Sequence, residues 1–229
     1  MEVMSALNQR HAKPHLIVRH SVSEQVLVEL RRRIVQGECP AGVAISEAQY
    51  AQSLGVSRVP VREAIMQIER DGLLFSDARG RSVVRTFTEE DHRQLWTVRM
   101  ELEGLAVRLA AEARTAVDLE NFYTNVAAFG EASTPEELAF LDVEFHQMLC
   151  AASGHQWLLA VWKNLRWPFE TILVNGFRKY VNATSLAESK SSAADHGRIV
   201  DALAHRNGAE AETLLRQHIL RWCEWTPED

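Results

Sequence analysis

The chain has 229 residues, 46% hydrophobic, with six tryptophans and eight phenylalanines, which excludes a disordered polymer and allows one large or two modest cores. No run approaches the ~18 apolar residues needed to span a bilayer, and the N-terminus lacks the apolar segment of a secretory signal, so a cytoplasmic chain with no membrane partner is expected. The net charge of −6 is unevenly spread: residues 1–87 hold 12 Lys and Arg against 9 Asp and Glu, a balance of +3, and residues 88–229 hold 13 against 22, a balance of −9. Only the first part suits a polyanionic partner. Cys39, Cys150 and Cys223 are odd in number and far apart with no CxxC pair, so they read as reduced and structural.

Residues 1–20 are polar and aperiodic and read as a flexible arm. Ser21 with Glu24 forms a capping box, and the helix it opens buries Val26, Leu27, Leu30 and Ile34 before Gly37 stops it. Arg31, Arg32 and Arg33 on that helix are either a solvated face or a source of phosphate contacts. ECPAGVAIS is a loop leading to a minimal strand at Val43 to Ile45. Then SEAQYAQSLGVSRVPVREAIMQIERDGLL, residues 46–74, reads as two short helices joined by a tight turn.

Ser46 with Gln49 opens the first of these helices and Gly55 supplies the turn. Ser57 caps the second, in whose first turn Pro60 loses only an N–H that has no partner there. At 100° per residue, Val61, Ala64, Ile65 and Ile68 gather on one side and Arg58, Arg62 and Glu69 on a neighbouring exposed strip. Two arginines one turn apart near a helix N-terminus reach phosphates and guanine edges together in a major groove. An ordinary helical hairpin with solvated arginines has the same pattern. The strand-like runs of LLFSDARGRSVVRTF, flanking Ser76 to Arg81 with Gly80 able to take a positive φ, add a basic hairpin directly after it, as a wing would.

LGVSRVPVREAIMQIERDGLL followed by a hairpin containing ARG resembles the winged helix-turn-helix of the GntR family of bacterial transcription regulators, over residues 21 to 87. The resemblance implies that Ser57, Arg58 and Arg62 meet the major groove and that Arg79 and Gly80 form the wing reaching the minor groove of a double-stranded DNA operator. One departure stands out: Ala48 occupies a position where many members carry a DNA-contacting arginine.

A boundary falls at Thr86 to Asp91, where Thr88 and Asp91 cap a helix, and the rest of the chain, residues 88–229, is helical throughout. Its first helix aligns Leu95, Val98, Leu102, Leu105 and Leu109 in an apolar stripe, with Arg99 at the stripe's edge. Such an arginine is a snorkelling surface residue or a partner for Glu103 one turn on, or else it points into a cavity to grip a carboxylate. Thr134-Pro135-Glu136 opens a helix that carries Leu138, Leu141, Phe145 and Leu149, with Asp142 and His146 one turn apart at the border of its buried face. His196 lies among Ile199, Val200 and Leu203, and His218 among Ala211, Leu214, Trp222 and Trp225. Each of these buried polar groups left unpaired costs about 1–3 kcal/mol. A lone inward histidine is ordinarily a hydrogen-bonded core residue, but one shared cation satisfies all four at once, and three histidines with an aspartate suit a divalent transition metal.

Asp142-x3-His146 followed by His196 and His218 is similar to the metal-binding signature of the FadR-like branch of the GntR family, in its FCD effector domain, over about residues 88 to 227. The resemblance implies a C-terminal all-α bundle of six to seven helices, a homodimer, a near-palindromic operator, and a metal (zinc first, nickel or manganese as alternatives) beside which a small organic acid binds. It also puts Arg99 where an effector-binding arginine is commonly found. Arg166, Trp162 and Trp167 are further candidates to line that pocket, His155 replaces the asparagine common after the glycine, and Pro168 is expected to kink or break its helix. The expected fold is therefore mainly α, a winged helix-turn-helix plus a helical bundle. The expected function is a metabolite-responsive repressor released from DNA by a carboxylic acid. A metal-dependent enzyme is the rival from another class, but Glu144 projects about 160° from His146 and no GxSxG, HExxH or P-loop is present. A third possibility keeps the DNA reader and makes the metal structural or itself the signal.

Overall fold

A computed structural model describes residues 21–224; the arm and Trp225 lie outside the described residues. Helix α1 (Val22–Val35) starts at a complete Ser21/Glu24 capping box and buries Val26, Leu30 and Ile34, with Leu27 half-buried. The chain leaves α1 through Gln36, followed by Gly37 at φ 73°. Helix α2 (Glu47–Leu54) begins at Ser46, whose hydroxyl accepts from Gln49 N, and ends at Gly55 in the left-handed conformation, φ 65°. Helix α3 (Arg58–Arg70) packs on α1 through Val61, Ala64, Ile65 and Ile68. Ser57 stands at its N-cap position, but its hydroxyl makes no capping bond.

The wing is an antiparallel hairpin of β1 (Leu74–Ser76) and β2 (Ser82–Val84), paired Leu74 to Val84 and Ser76 to Ser82. The expected third strand at Val43 to Ile45 is reduced to one bridge, Ala44 to Val83, flanked by Ile45 N–H donating to Ser82 and Val84 N–H donating to Val43. At the wing tip Gly80 takes φ 72°, and the Asp77 carboxylate accepts from the backbone N–H of Arg79 and Arg81.

Seven helices follow among the described residues: α4 (Glu89–Ala113), α5 (Ala116–Glu131), α6 (Pro135–Ala152), α7 (Gln156–Ala183), the short α8 (Leu186–Ser189), α9 (Ser191–Ala204) and α10 (Gly208–Glu224). Helix α4 lies against α6 and α10, and α5 against α6 and α9. Capping is explicit: Thr88 with Asp91 and Thr115 with Asp118 form complete boxes, and Pro135 occupies the first turn of α6 behind Thr134.

Two expectations are corrected. The leucine stripe of α4 only borders the bundle: Leu95 and Leu102 are half-buried against the core and Leu109 is half-buried, while Val98 is 46% and Leu105 40% exposed. The buried face carries Trp96, Arg99, Glu103, Gly104, Ala106, Val107, Ala110 and Ala111. Small residues let α10 approach closely here; a Cβ on Gly104 would stand 2.9 Å from the Arg216 guanidinium. Second, of the two outcomes expected at Pro168, a break does not occur: α7 continues through it as one helix. The proline cannot donate to the Asn164 carbonyl, but it is buried, and the helix is held on both sides by Trp162 and by Phe169, stacked on Trp96. The α1 arginines carry ion pairs within the protein, with Arg32 remaining exposed as on a solvated face. Arg31 bonds Asp71 at 2.7 Å and lies over the Trp167 ring, and Arg32 and Arg33 pair with Glu29.

Candidate metal centre and nucleic-acid interface

Helix α6 brings Asp142 and His146 to one face because they are four residues apart, and α9 and α10 bring His196 and His218 up to them. All four side chains are buried to within 1% of completely, and one ligand atom from each lies within 4.8 Å of the others. The Nε2 atoms of His196 and His218 are 3.2 Å apart, and each is 3.5 Å from Asp142 Oδ1. His146 Nε2 lies 3.7 Å from Asp142 Oδ2. Asp142 and His146, expected at the border of the buried face, are thus at its centre.

The surrounding groups fix these atoms. Glu103 of α4 accepts from His146 Nδ1, which turns the Nε2 lone pair towards the other ligands. The same carboxylate bonds Arg99 Nε at 2.8 Å, and Arg99 Nη2 reaches Asp142 Oδ2 at 3.1 Å. The expected pairing of Arg99 with Glu103 is present, but Arg99 is neither snorkelling nor at an edge: it is 1% exposed, enclosed by Trp96, Trp162 and Phe169. On the far side, Asp195 Oδ2 stands 3.6 Å from His218 Nδ1 and forms an ion pair with Arg221 at 2.6 Å.

Burial works against every charge here, and the pairings decide which survive. Desolvation raises Asp142, but His146, the contacts from His196 and His218, and Arg99 outweigh it and hold the carboxyl well below the usual range. Burial pushes His196 down to about 3, leaving its imidazole neutral with a lone pair to give. Burial also lowers His146. His218 is raised despite burial, because Asp142 and Asp195 both face it.

One carboxylate and three imidazoles around a common point form a donor set that fits a divalent transition metal. Buried Asp142 Oδ1 and His146 Nε2 make no hydrogen bond within the protein, and a shared cation is what would satisfy them together. Glu103 and Asp195 were not identified from sequence as groups that orient the ligands. The available signal was spacing: Glu103 lies one turn after Arg99, and Asp195 directly precedes His196. Trp162 reaches the site, its ring centre 6.3 Å from that of His146. Arg166 does not; it pairs with Glu144 at 2.6 Å and with Glu170 on another face of α6 and α7, and the Trp167 ring beside it also carries Arg31.

On the winged part, Ser57, Arg58 and Arg62 are exposed along the first turns of α3, and Arg79 and Gly80 are exposed at the wing tip. Arg62 is held by Glu47 of α2 through two parallel bonds, Nε to Oε1 at 3.0 Å and Nη2 to Oε2 at 2.9 Å.

Residues 22–84 match bacterial regulatory proteins of the gntR family, and residues 94–221 match the FCD domain. The chain is 32% identical to the Nta operon transcriptional regulator of Aminobacter aminovorans over 181 residues, covering 78% of this chain and 81% of that one. It is 27% identical to the gluconate operon transcriptional repressor of Bacillus licheniformis over 186 residues, covering 80% and 73%. In fold it is similar to McbR/YncC of E. coli, with a TM-score of 0.74 at 20% identity over 89% of this chain and 95% of that structure.

Proposed function

Because the chain belongs to the GntR family and carries an FCD domain, and is thus a transcription regulator rather than an enzyme, we propose that it is a metabolite-responsive repressor. In this reading, residues 21–87 are the DNA reader and residues 88–229 the effector-binding and dimerisation unit. Ser57, Arg58 and Arg62 enter the major groove of a near-palindromic operator, and Arg79 with Gly80 follows the minor groove. A homodimer sets two α3 helices about one DNA turn apart. Val98 and Leu105, two turns apart on α4 and both exposed, with half-buried Leu102 between them, support the dimer as a short apolar strip that a partner helix would cover.

The observation that carries the regulatory half is the convergence of Asp142, His146, His196 and His218 in the bundle's interior. These four residues would hold the metal, zinc before nickel or manganese, which when bound supplies a Lewis-acidic seat for an anionic oxygen. Glu103 keeps His146 turned inward, and Arg99 holds positive charge beside Asp142, where a ligand carboxylate gains a second partner. A small organic acid is the effector class this chemistry favours, and a relative named for a gluconate operon points the same way. Full burial of the cluster, with Arg99 already engaged by two carboxylates, also favours a second reading in which the metal is structural or itself the signal.

The test is a thermal-shift screen of dicarboxylates, hydroxy acids and sugar acids against zinc-loaded protein, followed by operator release by the hits. Stabilisation and release by an acid are expected, and both are lost in a His196→Ala/His218→Ala variant, which elemental analysis should find without stoichiometric metal. Release by metal alone supports the second reading. One metal per chain in the double variant refutes the ligand set.

A further inference from the structure

Arg62 presents more than one edge. Its guanidinium has five N–H groups, and the two-pronged grip of Glu47 uses the Nε edge, Nε–H and one Nη2–H. The end-on fork, formed by Nη1 and the other Nη2–H, is left over, and this is the fork that bonds guanine O6 and N7 bidentately. We infer that Glu47 is a specificity-determining residue: it locks the Arg62 guanidinium so that its remaining fork meets one guanine in each operator half-site. The inference rests on α3 being the groove helix.

Three observations carry it. Glu47 is the first residue of α2, fixed behind the Ser46 cap, so its carboxylate comes from a rigid element of a different helix from Arg62. At the first helical turn an anion is favoured by the helix dipole, and Arg62 beside it holds the Glu47 carboxyl below its ordinary value, so it stays charged at neutral pH. Next to it stands Ala48, so α2 brings no arginine of its own from that position and acts on DNA recognition through Glu47.

Stability does not account for the pair. With side chains 61% and 33% exposed, it belongs to the class of surface ion pairs that contribute little to folding. Against DNA its effect is large and two-sided. A pre-set guanidinium loses little freedom on binding, whereas the Glu47 charge repels phosphate at every site and is offset only where a guanine accepts the fork. The same carboxylate therefore strengthens the correct site and weakens all others.

In vitro selection from a randomised duplex library, followed by anisotropy titrations across salt concentrations, tests this with Glu47→Gln, Glu47→Asp and Arg62→Ala. The full-length protein should select a guanine at one position per half-site, and Arg62→Ala should lose it. Glu47→Gln should lose roughly tenfold of the preference at that same position and no other, while its affinity for unrelated duplex rises. Glu47→Asp, which keeps the charge but shortens the reach, should lose the guanine preference without the rise in non-specific affinity. A Glu47→Gln protein with an intact guanine preference overturns the inference, as does one that binds the selected site more tightly, which would make Glu47 a tether holding Arg62 off DNA. Wild-type selection by Arg62→Ala instead overturns the groove assignment of α3 itself.

Discussion

Glu103→Gln is the most informative single change in the bundle, because it keeps volume and removes one buried charge that serves two partners. Arg99 then retains only Asp142, and a buried pair broken on one side costs about 3–5 kcal/mol. For a chain of this size each kcal/mol moves the melting temperature by about 2–4 °C, so calorimetry on metal-free protein should show a fall of about 6–20 °C. A second effect is specific to the tautomer of His146. The carboxylate can only accept, which places the proton on Nδ1 and leaves Nε2 free to ligate; a glutamine amide can donate to Nδ1 and move the proton to Nε2. Zinc titrations against a competing chelator should therefore show about 10- to 100-fold weaker binding. Glu101→Gln, in a largely exposed pair with Arg216, is the control and should stay within about 0.5 kcal/mol of wild type. A Glu103→Gln protein with wild-type melting temperature and wild-type zinc affinity refutes both the ion network and the orienting role.

Leu105→Glu combined with Val98→Glu places charge on the exposed row of α4, so sedimentation should show a monomer with unchanged helicity; a dimer that survives moves the interface elsewhere. Arg31→Ala should leave the salt dependence of DNA binding unchanged, since Arg31 is spent on Asp71 and Trp167. A log–log slope reduced by about one would restore it as a phosphate contact. Cys39 and Cys150 are buried and burial raises both thiols, so iodoacetamide at pH 8 should add at most one label to the native protein and three after denaturation. Labelling of Cys150 in the folded state would mean that the bundle opens around it.

The parts of the fold legible in sequence were those written locally. Ser21/Glu24, Thr88/Asp91 and Thr134-Pro135 mark helix starts through contacts three residues long, and Gly55 and Gly80 mark turns through a φ that other residues avoid. The four candidate ligands were legible for a different reason: polar residues at inward positions of apolar helices need partners, and Asp142 and His146 announce each other by spacing. What stayed hidden depends on contacts between distant elements. Apart from Trp96 and Val107, the inward face of α4 is built from alanines, a glycine and a paired Arg99 and Glu103, so its apolar pattern is less regular than that of the leucine row beside it. Periodicity therefore favours a row that a monomer buries only in part. Glu103 and Asp195 look like solvated surface acids in sequence, and only the approach of α6 and α10 turns them into groups that aim imidazoles.

The architecture also constrains how the two halves can be linked. Helix α7 holds Arg99 with Trp162 and Phe169, and a turn away its Trp167 carries Arg31 of α1 and its Pro168 faces Gly72 at the end of α3. Farther along, Arg178 bonds the Gln36 carbonyl at the C-terminus of α1 at 2.9 Å and Glu136 of α6 at 2.6 Å. The connection through α4, which begins five residues after the wing ends, is thus joined by a second one through α7 between bundle and reader. A ligand that competes for Arg99 acts on both, because Arg99 belongs to α4 and is clamped by α7. It switches the reader only to the extent that it binds one arrangement of these helices more tightly than the other: a hundredfold preference shifts the balance by about 2.7 kcal/mol, whereas equal affinity for both shifts nothing, however tight the binding.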